Sequence, residues 1–401
     1  MNQSKPSDIL PEPPEELKQH SRRLVARIVD RIRNDGPISF AQYMEMALYE
    51  PGLGYYSAGL HKFGARGDFV TAPELGDVFG ACLARQVTEI ADTMDECNIL
   101  EIGAGSGALA AQLMAELDAL ALDPESRVSL PESRSYSILE TSGDLRAVQQ
   151  QRLESRAAGD GWDVRWLDKP PEKAWSGIIL ANEVVDALPV ERFLISDGAV
   201  RQVCVTAMEG KLEFADRAAP AELSEAVMSL GNLPNGYRSE VSVQLEPWLE
   251  SVTRNLQHGV ALFVDYGYPQ NEFYLSHRRA GTVMAHYRHR AHGSLLRYPG
   301  LQDLTAFVDF TALSRAGSKA GLDLLGYTSQ ALFLMGSGLD EVVHARLTGD
   351  SEADMALNNQ VRQLVFPDLM GEKFQVIAFG RNRDEQQPLR GFSFRDLSDR
   401  L

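Results

Sequence analysis

Residues Asn98 to Ala108 read NILEIGAGSGA: a short apolar run carrying Glu101, then glycines at 103, 105 and 107. An apolar strand that stops at glycines and restarts as a helix brings bare backbone amides against a nucleotide-like ligand, because the turn leaves no room for a Cβ. Leu109 to Leu122 (LAAQLMAELDALAL) is rich in helix formers and supplies that helix. Strand, glycine turn and helix together predict an α/β fold with its ligand at the strand end.

Two cofactor classes fit the glycine spacing. Gly103-Ala104-Gly105-Ser106-Gly107-Ala108 satisfies the G-x-G-x-x-G/A dinucleotide pattern. It also satisfies E-x-G-x-G-x-G, the first motif of Rossmann-like methyltransferases that bind S-adenosylmethionine. Glu101 separates them. A carboxylate two residues before the first glycine repels a pyrophosphate and suits a ligand with an ammonium and a sulfonium. A second acid, Glu140, ends the next strand signal in SYSILETS (Ser135–Ser142). An acid there grips ribose hydroxyls in nucleoside-binding folds.

The chain has 401 residues and 44% hydrophobic content, enough for one large elaborated domain or two unequal ones. Its net charge of −17 argues against broad binding to nucleic acid or anionic membranes. Cys82, Cys97 and Cys204 are far apart, which disfavours a disulfide framework and fits a reducing compartment. The opening MNQSKPSDILPEPPEELKQH has neither a secretory h-region nor an arginine-rich amphipathic pattern. With no apolar stretch long enough to span a bilayer, the sequence predicts a cytoplasmic protein without a membrane span. Its oligomeric state is not legible.

Along the chain, residues 1–92 read as a helical N-terminal segment: Glu15 to Arg33, a Ser39-capped helix to Tyr49, a glycine-rich aromatic loop, and a long helix over Pro73 to Met94. Residues 93–381 read as the core, with strands at Ile99–Ile102, Tyr136–Glu140, Asp163–Leu167, Gly177–Ala181, Val260–Asp265, Tyr327–Leu334 and Phe374–Gly380. This is a seven-stranded, mostly parallel arrangement. Two insertions interrupt it, at 190–246 and 270–310. The first is hairpin-rich around Asp197-Gly198 and Glu209-Gly210. Both follow strand ends, where insertions shape a substrate site. Residues 382–401 read as a polar, mobile tail.

Four further segments carry a resemblance: GDFVTAPELGDVFG (Gly67–Gly80), ANEVVDALPVERF (Ala181–Phe193), FVDYGYP (Phe263–Pro269) and PGLQDLTAFVDFTAL (Pro299–Leu313). Together with EIGAGSG, and in this order, they resemble the MidA-like family of methyltransferases, over about Pro37 to Arg381. That family includes a mitochondrial complex I assembly factor that methylates protein arginine. The resemblance implies a Rossmann-like class I methyltransferase fold, S-adenosylmethionine as cofactor, and a protein substrate presenting an arginine, such as a respiratory-complex subunit. One departure is Phe307, where a polar residue is expected.

Residue chemistry runs alongside. Asn182 and Glu183 follow the apolar strand GIILA and emerge at its end. Methyl transfer needs a positioned nucleophile in a dry site. An arginine nucleophile arrives protonated, and carboxylates that hold it bidentately take up its charge. Glu183 and Asp186 are the candidates, with Glu74 as a further one. The alternative for Asp186 is a turn-capping role before Pro189. Gly67, Asp68, Phe69 and Thr71 precede a helix start at Pro73 and are expected to close over the cofactor as a lid.

Other signals are weaker. His286, His289 and His292 lack a cysteine or carboxylate to complete a metal set, so no metal is expected. The arginines of 277–297 form a basic loop in an acidic protein. The N/D-P-P-Y motif of amino-group nucleic-acid methylases is absent, since Glu183 follows Asn182. A non-catalytic assembly protein, a small-molecule methyltransferase and an RNA methyltransferase remain alternatives.

Overall fold

The computed structural model describes residues 10–58, 71–124, 128–157, 161–383 and 388–401. The chain divides into two compact units, 71–186 with 245–273 and 307–401, and 1–70 with 187–244 and 274–306.

The first unit is built on a mixed sheet. Its strands are β1 (Cys97–Ile102), β2 (Arg134–Leu139), β3 (Asp163–Leu167), β4 (Trp175–Asn182), β5 (Leu256–Tyr268), β6 (Asp323–Ser329) and β7 (Phe374–Arg381). They lie in the order β6-β7-β5-β4-β1-β2-β3. The five from β3 to β5 are parallel, and β6 and β7 pair antiparallel. A two-residue strand, Val308–Asp309, pairs with the end of β5, so among the described residues the sheet has eight strands rather than the seven expected.

The central β4 is buried continuously from Gly177 to Ala181, as expected of a parallel strand covered on both faces. Ile178 and Leu180 join Ile99, Val260, Leu262 and Val376 in a core completed by Leu83, Val87, Leu109, Leu113 and Leu117 from helices. Each such side chain contributes about 1.5–3 kcal/mol of burial.

Three expectations are corrected in this unit. Pro73 to Met94 forms two helices, Ala72–Leu75 and Val78–Ala91, broken at Gly76, whose φ is 150°. Both helices lie in the unit that carries the sheet. The late strand ends at Ser329, whose hydroxyl accepts from the Leu332 amide and caps a helix, Gln330–Gly336. The tail is also docked. Leu389 and Phe392 are buried, Gly391 donates to Gln86 Oε1 at 2.8 Å, and Phe392 packs edge-on against Phe333.

The second unit joins the N-terminal helices to both insertions. Helix Glu15–Asp35 buries Leu24, Ile28 and Ile32. Helix Phe40–Tyr49 starts with a capping box between Ser39 and Gln42. The hairpins turn at Asp197-Gly198 (φ 51° and 77°) and Glu209-Gly210 (φ 50° and 78°), the paired positive φ of type I′ turns. Their three strands join Ile38–Ser39 and Arg238–Val241 in a sheet of five strands among the described residues, and residues 284–305 add a three-stranded one.

Candidate functional site

From β1 the chain winds outward to β2 and β3, then returns to β4 on the other side of β1. The carboxyl ends of β1 and β4 therefore flank a topological switch point, where ligands bind in open α/β sheets. Ile102 pairs with Ala181 there, and Val264 of β5 pairs with Asn182.

The loop leaving β1 keeps Gly103, Gly105 and Gly107 at φ of 63°, 53° and 77°, left-handed values that disfavour any side chain. A Cβ on Gly103 would sit 3.2 Å from Val184 Cγ2, and one on Gly107 3.4 Å from Gln149 Cα. Glu101, near the end of β1, is buried and accepts from Tyr136 Oη at 2.8 Å. Burial pushes its carboxyl up to about 7; the Tyr136 hydrogen bond opposes this and the Glu140 charge adds to it.

Glu140 lies just past β2 and is also buried. Its Oε1 accepts from the Ser142 amide at 2.8 Å and its Oε2 from Gln149 Nε2 at 3.0 Å. Gln149, fully buried on helix Gly143–Ala157, reaches the Gly105 carbonyl as well, at 3.0 Å. No sequence signal marked it.

A second cluster lies where β4 and β5 end. Asn182 Nδ2 donates to Glu183 Oε1 at 3.2 Å, and Asn182 Oδ1 is buried with no hydrogen-bond partner among the described residues. Glu183 takes a left-handed φ of 55°, with its amide on the Val264 carbonyl at 2.9 Å. Asp265 holds the turn that follows: Oδ2 accepts from the amides of Val184 (3.2 Å), Val185 (2.9 Å) and Asp186 (3.2 Å), and Oδ1 from Tyr266 (2.9 Å). Burial, then the charges of Asp186 and Glu183, push the Asp265 carboxyl well above its ordinary range, and the amide donors oppose them. Tyr266 Oη donates to Asp186 Oδ2. The Tyr266 ring packs edge-on against Phe307 and Phe374, with centroids at 5.1 and 5.4 Å. Phe307, unexpected at its position, thus forms part of an aromatic wall.

Glu74 is positioned differently from Glu183 and Asp186. It accepts from Ser106 Oγ in the glycine loop, and Arg152 donates to both, at 3.3 Å to Glu74 and 3.0 Å to Ser106. Thr71 is the extended residue before helix Ala72–Leu75. Gly67, Asp68 and Phe69 lie outside the described residues. Among the described residues no group of three or more His, Cys, Asp or Glu is arranged to hold a metal ion.

These features fit an adenosyl amino acid. Glycine amides and Glu140 suit a nucleoside, and Glu101 with the unpartnered Asn182 oxygen suits an ammonium. Residues 82–328 match the model of a family described as S-adenosyl-L-methionine-dependent methyltransferases. The chain belongs to the MidA-like family.

A superfamily member from Burkholderia thailandensis, crystallised with S-adenosyl-homocysteine, is 40% identical with a TM-score of 0.90, covering 98% of this chain and 100% of that one. S-adenosylmethionine is accordingly the cofactor of this methyltransferase. Among curated relatives, the mitochondrial protein arginine methyltransferase NDUFAF7 of Danio rerio is 27% identical over 89% of this chain and 87% of its own. The Caenorhabditis elegans homolog is 30% identical over 78% and 76%. These relatives are named as mitochondrial proteins, which overturns the cytoplasmic expectation. No helix among the described residues is long and apolar enough to cross a membrane.

Proposed function

We propose that this methyltransferase modifies an arginine nitrogen of a protein substrate, a respiratory-complex subunit or a related protein. The observation that carries the reading is the acidic turn Glu183 to Asp186, clamped by Asp265 at the end of β4. The arginine methyltransferase names of its relatives support it.

In this reading Glu101, Gly103, Gly105, Gly107, Glu140 and Asn182 hold the cofactor, which when bound supplies an electrophilic methyl group. Glu183 and Asp186 hold the guanidinium. A protonated guanidinium is a poor nucleophile, and hydrogen bonds to two carboxylates concentrate electron density on the nitrogen left outside. As the N–C bond would form, the methyl–sulfur bond would break and S-adenosylhomocysteine would leave; Glu183 or Asp186 would then take the one proton the methylated guanidinium gives up, from an N–H it already holds. Tyr266 fixes the orientation of Asp186 by its hydrogen bond, and the Phe307 and Phe374 rings beside it exclude water. Glu74 supports the glycine loop through Ser106, and Thr71 leads into the helix behind that loop.

The test is transfer of a labelled methyl group from S-adenosylmethionine to lysate of cells lacking this protein, followed by amino-acid analysis of the labelled material. Methylarginine is the expected product. Glu183→Gln should cut transfer by about 100-fold or more while S-adenosylhomocysteine affinity stays within about threefold. Label in RNA or small molecules only, or no label with a chain that binds the cofactor product, overturns the proposal.

A further inference from the structure

Gln149 joins the glycine loop, Glu140 and Trp166 through a single side chain. Its Nε2 donates to the Gly105 carbonyl and to Glu140 Oε2, each at 3.0 Å, and its Oε1 accepts from Trp166 Nε1 at 3.1 Å. The indole nitrogen can only donate, so it fixes which way the amide points: oxygen to Trp166, both N–H groups toward the glycine loop and the acid. The residue is fully buried, so these bonds have no competing water.

We infer that Gln149 is the positioning residue that sets the Glu140 carboxylate and the glycine loop in register for the ribose and the amino-acid end of the cofactor together. The inference rests on the reading that Glu140 receives the ribose hydroxyls. Glu140 is held at Oε1 by the Ser142 amide and at Oε2 by Gln149, so both its position and its rotation are fixed before ligand arrives. Gln149 does this with a neutral donor that brings no charge of its own. The same amide ties down the Gly105 carbonyl in the loop, whose φ of 53° otherwise leaves it conformationally permissive. Ordering both elements in the free protein lowers the entropic cost of binding.

The test compares S-adenosylhomocysteine with its analogue lacking both ribose hydroxyls, by calorimetric titration of the full chain. Wild type should prefer the parent ligand by about tenfold or more. Failure of that preference defeats the Glu140 reading itself. If the preference holds, Gln149→Leu should bring the ratio of the two affinities close to one, weakening the parent far more than the analogue. A purely structural role for Gln149 weakens both ligands equally, and an unchanged ratio in Gln149→Leu overturns the inference.

Gln149→Glu gives an independent reading on a chain that keeps the side-chain shape. At pH 8 two adjacent carboxylates repel and parent affinity should fall by about tenfold or more. Near pH 6 a shared proton restores the hydrogen bond to Glu140, while the one to the Gly105 carbonyl stays lost, and most of the lost affinity should return. A loss that does not change with pH overturns the inference.

Discussion

On the proposed reading Glu101 serves the cofactor at a cost to the ligand-free protein, and Glu101→Gln measures that cost. Burial raises its carboxyl from an ordinary 4.5 to about 7. Between those values the folded chain holds a proton that the unfolded chain has released, so stability falls as pH rises through that window. Glu101's stabilising contribution is fully present below pH 4.5 and lost above about 7. At pH 8 the folded state must keep a buried charge, at a cost of about 3 kcal/mol; at pH 5 the cost is below about 1 kcal/mol. Glutamine keeps an acceptor for Tyr136 Oη and buries no charge. Glu101→Gln should therefore melt several degrees above wild type at pH 8 and nearly with it at pH 5, by scanning calorimetry of ligand-free protein. S-adenosylhomocysteine affinity should move the opposite way, dropping by about tenfold or more as the ammonium loses its counter-charge. A variant no more stable than wild type at pH 8, or one whose gain is the same at both pH values, refutes the reasoning.

Gly105→Val forces a β-branched residue to a φ of 53°, a strain of about 1–3 kcal/mol, and should abolish S-adenosylhomocysteine binding in a titration while the chain remains folded by circular dichroism. Asp265→Ala leaves the amides of Val184, Val185 and Asp186 without their acceptor, at about 1–3 kcal/mol for each buried donor. Asp265→Asn retains one oxygen but turns an NH2 group toward amides that the other oxygen accepted from, so melting temperatures should rank wild type, Asn, Ala; Ala melting above Asn contradicts the clamp. Phe392→Ala should cost about 3–5 kcal/mol in thermal unfolding, because the ring is buried against Phe333, whereas a mobile tail would show no change.

What could be read in the sequence was what short-range pattern decides. The glycine run, the acids at strand ends and the Ser39 cap each act within a few residues, and the Asp197-Gly198 and Glu209-Gly210 turns need only their own dipeptides. Tyr327 to Leu334 failed because a short apolar run is ambiguous between strand and helix; the Ser329 cap was the available cue. Pro73 to Met94 failed at Gly76, which reads as one tolerated helical glycine until Gln360 is found against its Cα side. The tail failed because Leu389, Phe392 and Leu397 are diluted by polar neighbours that face away from the core. Gln149 and the capping role of Asp265 depend on contacts spanning 44 and 79–81 residues, and no local pattern encodes those.

The distribution of acids along the sheet edge explains why such contacts were built. Glu101, Glu140, Glu183, Asp186 and Asp265 gather at the ends of adjacent strands, where like charges raise one another's proton affinity. A site left to relax would splay these side chains into water or protonate them. Each of Glu101, Glu140, Asp186 and Asp265 instead accepts from at least one donor that carries no charge: Tyr136, the Ser142 amide with Gln149, Tyr266, and four backbone amides. Such donors hold geometry without bringing a charge of their own. On the proposed reading, the ligands that this cluster of acids suits are a cationic cofactor and a cationic side chain.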